Sequence, residues 1–147
     1  MMKKILAVSA LAFTTLFGAV SANAADVEVK MLNKGADGMM VFEPNVVKIA
    51  PGDTVHFVPA DKGHNAESID GMIPAGATPF KGEISKELTV KFDQAGIYGF
   101  KCKPHYGMGM VGLIVVGEPT NKAEAGGVEQ KGKAKQKFEK LFAEIGG

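Results

Sequence analysis

Arginine and tryptophan are absent from this chain of 147 residues, and cysteine occurs once. A single cysteine cannot form an intramolecular disulfide bond, which excludes a disulfide-stabilised fold. Covalently attached c-type haem is also excluded, because its attachment requires a C-x-x-C-H sequence. With a formal net charge of +1, the chain lacks the excess of positive charge that a general nucleic-acid-binding protein carries. We therefore expect no nucleic-acid partner.

Long apolar runs are also scarce, and the chain has just one, near its N-terminus. Two lysines precede an apolar stretch at residues 5–20, and an Ala-Asn-Ala triplet follows, ending at Ala24. A positive, an apolar and a small-x-small segment in this order predict a secretory signal peptide at residues 1–24. A membrane anchor is the competing interpretation, but the run is short for a span of about 20 residues. We expect a periplasmic protein with no membrane anchor after signal removal.

From residue 25 onward, short apolar or alternating segments are separated by turn residues, which predict a turn at residues 33–38 and a long loop at residues 59–82. One face of the first predicted strand is apolar, with Val27, Val29 and Met31 separated by residues that we expect to point outward. The same alternation recurs at residues 54–58 and 88–92. Such a series of short strands is typical of an antiparallel sandwich. The sequence predicts an all-β, Greek-key β-sandwich of about eight strands, spanning residues 25–118.

The composition changes after Pro119, where Lys, Glu, Ala and Gly dominate. Apolar residues recur at i, i+3, i+4 and i+7 between Phe138 and Ile145, which predicts an amphipathic helix over residues 133–145. A shorter helix over residues 121–130 stays open, because two adjacent glycines oppose it. We assign residues 119–147 to a C-terminal α-helical extension that packs on the sandwich.

The single cysteine belongs to a C-x2-H-x4-M motif formed by Cys102, His105 and Met110, on one short loop between two predicted strands. A free thiol in an oxidising compartment favours a metal ligand. His64 lies in a polar loop upstream and can supply another donor. Two imidazole nitrogens, a thiolate and a weak thioether are the ligand set of a type 1 copper centre, which transfers single electrons. We predict that His64, Cys102, His105 and Met110 hold one copper ion.

Several other interpretations compete with this one. Taken alone, a cysteine or methionine is more often a packing residue. Zinc is the rival metal, but structural zinc sites use several Cys or His ligands and rarely a thioether. A copper enzyme would need an open coordination position, and His56 alone remains to help build one. We predict that His56 points outward from its strand and that the protein is not an enzyme. A copper chaperone or storage protein without redox turnover is the alternative function.

Through these motifs the chain resembles the small blue-copper proteins, or cupredoxins. Within that superfamily it is most similar to the pseudoazurins. The ligand motif is shared with plastocyanins and amicyanins, whereas the helical segment after Pro119 resembles pseudoazurins alone. The resemblance implies a soluble electron carrier. It also implies that Asn65 ties the two ligand loops together and offers a backbone N–H to the sulfur of Cys102. Pro104 would remove a possible N–H donor near that sulfur.

A docking surface follows from the same resemblance. In this family the second loop histidine, here His105, reaches the surface through an apolar patch. The residues that match this patch are Pro59, Pro104, Gly107, Met108 and Gly109. Four lysines match the ring around it: Lys34, Lys62, Lys81 and Lys101. The resemblance implies acidic redox partners, such as a copper nitrite reductase or similar terminal enzyme of denitrification and c-type cytochromes. We expect the protein to act as a monomer.

Overall fold

The structure is a computed structural model that describes residues 22–146. Most of the predicted signal peptide, residues 1–21, lies outside the described residues. The eight strands are β1 (Asp26–Gly35), β2 (Gly38–Glu43), β3 (Val46–Ile49), β4 (Asp53–Val58), β5 (Glu67–Ser68), β6 (Leu88–Phe92), β7 (Gly96–Lys101) and β8 (Val111–Val116). A 3₁₀ helix, Lys103–Met108, precedes β8, and two α-helices follow it, α1 (Lys122–Gly126) and α2 (Gly132–Glu144).

The strands form two four-stranded sheets that face each other. The first has the order β2-β1-β4-β6 and the second the order β3-β8-β7-β5. The pairs β1–β4 and β3–β8 are parallel, and the other neighbours are antiparallel. Parallel neighbours require the chain to leave a sheet and return to it, as it does here by crossing between the two sheets. The predicted β-sandwich with a C-terminal helical extension is confirmed.

The continuous apolar sequence of β8 has a simple structural cause. Ile114 and Val116 pack between the two sheets, while Val111, Leu113 and Val115 belong to a second apolar cluster under the helices. Because both faces of β8 are covered, all six of its residues are buried. In β4, by contrast, the two faces alternate between buried and half-buried residues, as predicted.

The C-terminal helices close the outer face of the second sheet. The apolar side chains of α2 that pack there are Ala134, Phe138 and Leu141. The helix α1 does form, but it is only five residues long and ends at the glycine pair. Asn121 precedes α1 without capping it through its side chain, because its amide bonds the backbone N–H and C=O of Ile97 instead. That pairing ties α1 to the start of β7.

The strands differ from the sequence-based prediction in two places. A turn is predicted from Asn33, but β1 continues to Gly35, since Lys34 and Gly35 still pair with residues of β2. The loop predicted at residues 59–82 contains the short strand β5, which pairs with the end of β7. Within residues 22–146, no helix combines the length and the apolar character needed to cross a membrane.

Two carboxylates join distant parts of the chain. Asp53 is buried at the start of β4, and its two oxygens accept the backbone N–H groups of Ala25, at 2.8 Å, and Ala50, at 2.9 Å. These hydrogen bonds lower the pKa of Asp53. Asp37, in the β1–β2 turn, pairs with Lys137 of α2, and the hydrogen bond from that lysine lowers the pKa of Asp37.

Candidate metal centre

The loop that carries the C-x2-H-x4-M motif is closed by its own backbone hydrogen bonds. The N–H of His105 donates to the carbonyl of Cys102, and the N–H of Met110 donates to the carbonyl of His105, both at 3.2 Å. The N–H of Cys102 donates in turn to the carbonyl of Met110 at 3.0 Å. Gly109 makes the return possible, because its φ of 83° lies in the left-handed region that glycine favours. The backbone therefore fixes the relative positions of the three motif residues.

The other loop brings His64 to the same place. Its carbonyl accepts the N–H of Ser85 at 2.8 Å, and its side chain is fully buried. The Nδ1 atom of His64 lies 3.1 Å from Nδ1 of His105 and 3.7 Å from Sγ of Cys102. The distance between Sγ of Cys102 and Nδ1 of His105 is 3.5 Å. Three of the four predicted ligand residues thus present one donor atom each to a common point.

This triangle of donor atoms has the size that a metal ion requires. The point equidistant from the three atoms lies about 2.0 Å from each of them, close to the metal–nitrogen and metal–sulfur distances of about 2.0–2.3 Å known for zinc. Two imidazole nitrogens with a single thiolate make a mixed, borderline-soft set, which suits copper better than a structural zinc ion. The chemistry of the donors therefore fits copper.

The protonation state of His64 also fits a metal ligand. Its Nε2 lies 2.8 Å from Oδ1 of Asn33, so the ring proton sits on Nε2 and donates to the amide oxygen. Burial lowers the pKa of His64, and the nearby His105 lowers it further. The ring is consequently neutral, with the lone pair of Nδ1 directed toward Cys102 and His105.

Opposing effects act on the pKa of the Cys102 thiol. Burial raises the pKa of the Cys102 thiol, and the negative charge of Glu67 adds to that effect. The backbone N–H groups of Asn65 and His105 act in the opposite direction and lower the pKa of the thiol. Burial is the largest of these effects, so the metal-free site favours the thiol, and a bound cation must displace its proton.

Met110, the fourth predicted ligand, is fully buried and belongs to the same apolar cluster as Cys102. Its position follows from the backbone hydrogen bonds that close the loop. Met110 thus lies in the part of the core that also contains Cys102, as a weak fourth ligand would require.

The link between the two loops agrees with the role expected for Asn65. Its Oδ1 accepts the backbone N–H of Lys103 at 2.8 Å, and its own backbone N–H lowers the pKa of the Cys102 thiol. His56 is half-buried on the first sheet and bonds Thr89 through Nδ1 at 3.0 Å, away from the donor triangle. The outward orientation predicted for His56 is therefore confirmed.

Sequence reasoning missed Asn33 and Glu67, two polar residues that support the site. Asn33 was expected in a turn, and it lies 31 residues before the histidine that it contacts. Glu67 accepts a hydrogen bond from Asn65 at 3.0 Å and is nearly fully buried. Neither residue belongs to a sequence motif. The one local indication was the pair His64-Asn65, two polar residues that come shortly before the acidic Glu67 in the sequence.

The surface around His105 is partly as expected. His105 is half-exposed, and Pro104, Gly107 and Met108 are exposed beside it. Gly109 is buried, because its α-carbon faces the backbone of Lys133. Of the four ring lysines, Lys34, Lys62 and Lys81 are exposed, whereas Lys101 is half-buried. Its Nζ lies 3.8 Å from Oε1 of Glu67 and 5.4 Å from the centre of the Tyr106 ring.

Comparison with known proteins shows the family to which the chain belongs. A pseudoazurin from Methylorubrum extorquens is 53% identical over 125 residues, which cover 84% of each chain. A pseudoazurin from Paracoccus pantotrophus is 46% identical over 123 residues, covering 83% of this chain and 85% of that protein. The crystal structure of a pseudoazurin from Methylobacterium extorquens is 50% identical and superposes with a TM-score of 0.79, covering 82% of this chain and 98% of the other. Residues 29–117 match the family described as copper binding proteins, plastocyanin/azurin family. The chain belongs to this copper-binding family.

Proposed function

We propose that this protein is a soluble periplasmic electron carrier, and that His64, Cys102, His105 and Met110 hold the type 1 copper ion that it uses. When bound, copper supplies a site that gains or loses one electron. The observation that carries the proposal is the donor triangle, with distances of 3.1, 3.5 and 3.7 Å between its atoms. Its atoms come from two loops that are fixed by backbone hydrogen bonds.

Rigidity is the property that an electron carrier needs from these residues. His64 and Cys102 are fully buried, so water does not reach them and neither side chain has room to move away. Asn33 holds one imidazole, and the backbone hydrogen bonds of Cys102 with His105 and Met110 hold the loop that carries the sulfur. A site whose ligands keep their places when the charge changes reorganises little, which favours fast electron transfer.

The half-exposed His105 gives this site a route to partners. Exposed Pro104, Gly107 and Met108 surround it with small or apolar surface that a partner can approach closely. Exposed Lys34, Lys62 and Lys81 add positive charge, while Lys101 is partly neutralised by Glu67. Such a surface suits acidic redox partners that bind briefly. The partners we assign are a copper nitrite reductase or similar terminal enzyme of denitrification as acceptor and a c-type cytochrome as donor, with the carrier acting as a monomer.

Processing and domain organisation belong to the same proposal. Cleavage after Ala24 leaves residues 25–118 as the copper-binding sandwich and residues 119–147 as its helical extension. The N-terminal sequence supports export, and the burial of α2 side chains against β8 supports a single folded unit in which the extension is part of the core.

The visible and EPR spectra of the copper-loaded protein test the assignment of the site. We expect an intense blue colour in the oxidised protein, which comes from the bond between copper and the Cys102 thiolate. Cys102→Ser should bind copper without that colour, while His56→Gln should keep it. A colourless copper adduct of the wild-type protein would instead favour the alternative, a copper chaperone or storage protein.

Reduction kinetics with a copper nitrite reductase test the assignment of the partner. We expect fast electron transfer that slows as ionic strength rises, because salt screens the attraction between the lysines and an acidic partner. Lys81→Glu should lower the association rate constant about tenfold at low salt. Lys48→Glu is the matched control, since Lys48 is exposed on β3 and pairs with Val115, near the end of β8 remote from Met110. Equal rates for the two variants would contradict the docking assignment.

A further inference from the structure

Glu67 is a buried carboxylate that the metal centre does not use directly. It lies in β5, three residues after His64, and is 9% exposed. A buried charge is costly unless hydrogen bonds or an opposite charge compensate it. Glu67 has both kinds of compensation, and each of its two partners is the direct sequence neighbour of a proposed ligand, Asn65 of His64 and Lys101 of Cys102.

The first partner is Asn65. Its Nδ2 donates to Oε2 of Glu67 at 3.0 Å and lies 3.1 Å from the carbonyl oxygen of Gly82. With Nδ2 held by two acceptors, Oδ1 of the same amide must point the other way, toward the backbone N–H of Lys103. The carboxylate therefore determines how Asn65 connects the two loops.

The second partner is Lys101, the last residue of β7 and the neighbour of Cys102. Its Nζ lies 3.8 Å from Oε1 of Glu67 and above the ring of Tyr106. Tyr106 follows His105, and its hydroxyl donates to the side chain of Gln130 in the helical extension. A chain of polar contacts thus runs from Glu67 to the loop that carries Cys102 and His105.

From these contacts we propose that Glu67 is a positioning residue of the metal centre. Its Oε2 orients the amide of Asn65 so that the loops of His64 and Cys102 stay joined, and its negative charge stabilises the more positive, oxidised state of the site. The proposal deepens the function proposed above and rests on the same ligand assignment.

Two substitutions separate the two parts of this role. Glu67→Gln keeps an oxygen that can accept from Asn65 but removes the charge. Glu67→Asp keeps the charge but withdraws the carboxylate by one methylene group. Glu83→Gln is the control, because it removes the same charge from an exposed carboxylate in the following loop. Thermal melting of all three variants checks that they fold.

Hydrogen exchange of the Lys103 amide in the metal-free protein reports on the loop connection. We expect exchange about fivefold to tenfold faster in Glu67→Asp, the effect of losing one ordinary hydrogen bond, and close to the wild-type rate in Glu67→Gln. A wild-type rate in Glu67→Asp would overturn the positioning role. Because no metal is present, this result does not depend on the proposed function.

The reduction potential of the copper-loaded protein reports on the charge. We expect Glu67→Gln to have a more positive potential than the control, since removing a nearby anion disfavours the oxidised state. Equal potentials for Glu67→Gln and Glu83→Gln would overturn the electrostatic role. A wild-type protein that binds copper without blue colour would instead contradict the proposed function, whatever the exchange rates are.

Discussion

At the scale of single residues, Asn33 fixes which ring nitrogen of the buried His64 carries the proton. Its Oδ1 accepts the Nε2 proton at 2.8 Å, which leaves the other ring nitrogen free for a metal. His64 is fully buried, and the amide of the exposed Asn33 supplies the acceptor for its Nε2 proton. One side chain on β1 therefore helps to present the Nδ1 lone pair of a histidine on a distant loop.

Replacement of Asn33 by Ala should weaken copper binding about 10-fold to 100-fold, the usual cost of losing a side chain that orients a ligand. The metal-free protein should also lose about 1–3 kcal/mol of stability, because a buried N–H loses its acceptor. Competition with a chelator measures the affinity, and urea unfolding measures the stability. Asn45→Ala is the control, since Asn45 bonds Asp37 on the surface. Copper affinity within twofold of wild type would refute this role.

The cluster of His64, Cys102 and His105 could be predicted from the sequence because its chemistry is unusual and mostly local. A lone cysteine, a histidine and a methionine within nine residues combine soft sulfur and imidazole donors, and few sites other than a copper centre use that combination. Asn33 and Glu67 could not be predicted, because ordinary polar residues gain their roles only when folding brings a distant partner close. Lys101 shows the same limit, since nothing in the sequence indicated that Glu67 would neutralise part of its charge.

At the scale of elements, the start of β4 is fixed by one carboxylate. Asp53 accepts the N–H groups of Ala25 and Ala50, and so joins the beginning of β1 to the turn that precedes β4. Alternating residues predicted β4 and its two faces correctly. The same pattern could not predict β5, because a strand of two residues contains no period, and its pairing with β7 depends on tertiary contacts.

The role of Asp53 predicts a specific dependence of stability on pH. Because hydrogen bonds lower its pKa in the folded protein, the ionised carboxylate stabilises the fold above its ordinary pKa of 3.8, and this contribution disappears as pH falls below that value. Asp53→Asn should therefore be less stable than wild type at pH 7, and the difference should shrink below pH 3.8. Urea unfolding across this range measures it. A difference that does not change with pH would show that shape, and not charge, is responsible.

At the scale of the whole molecule, the helical extension completes the core of the second sheet. Phe138 is 3% exposed and belongs to one apolar cluster with Ile97, Leu113 and Val115. The ion pair between Asp37 and Lys137 also joins α2 to the β1–β2 turn. The helical periodicity predicted α2 almost to the residue, whereas the partners of its apolar face could be known only from the strand order.

Phe138→Ala should lower the free energy of unfolding by about 3–4 kcal/mol, because it removes a buried ring and leaves a cavity. Phe142→Ala should cost less than half as much, since Phe142 is only half-buried. Urea unfolding of the two variants compares them directly. Equal losses would mean that α2 contributes to stability through general hydrophobic contact and not through the packing of Phe138.

The hydrogen bond between the N–H of Ala25 and Asp53 has a consequence for maturation. With the proposed cleavage after Ala24, the nitrogen that lies 2.8 Å from Oδ1 of Asp53 would become a free ammonium group. A hydrogen bond from a neutral N–H to the carboxylate would then become an ion pair, so a chain that begins at Ala25 would be held more tightly at this point than a longer chain. A chain beginning at Ala25 should melt at a higher temperature than one beginning at Ala22 at pH 7, and both should melt alike once acid protonates Asp53. Under the proposed processing, removal of residues 1–24 would therefore stabilise the fold.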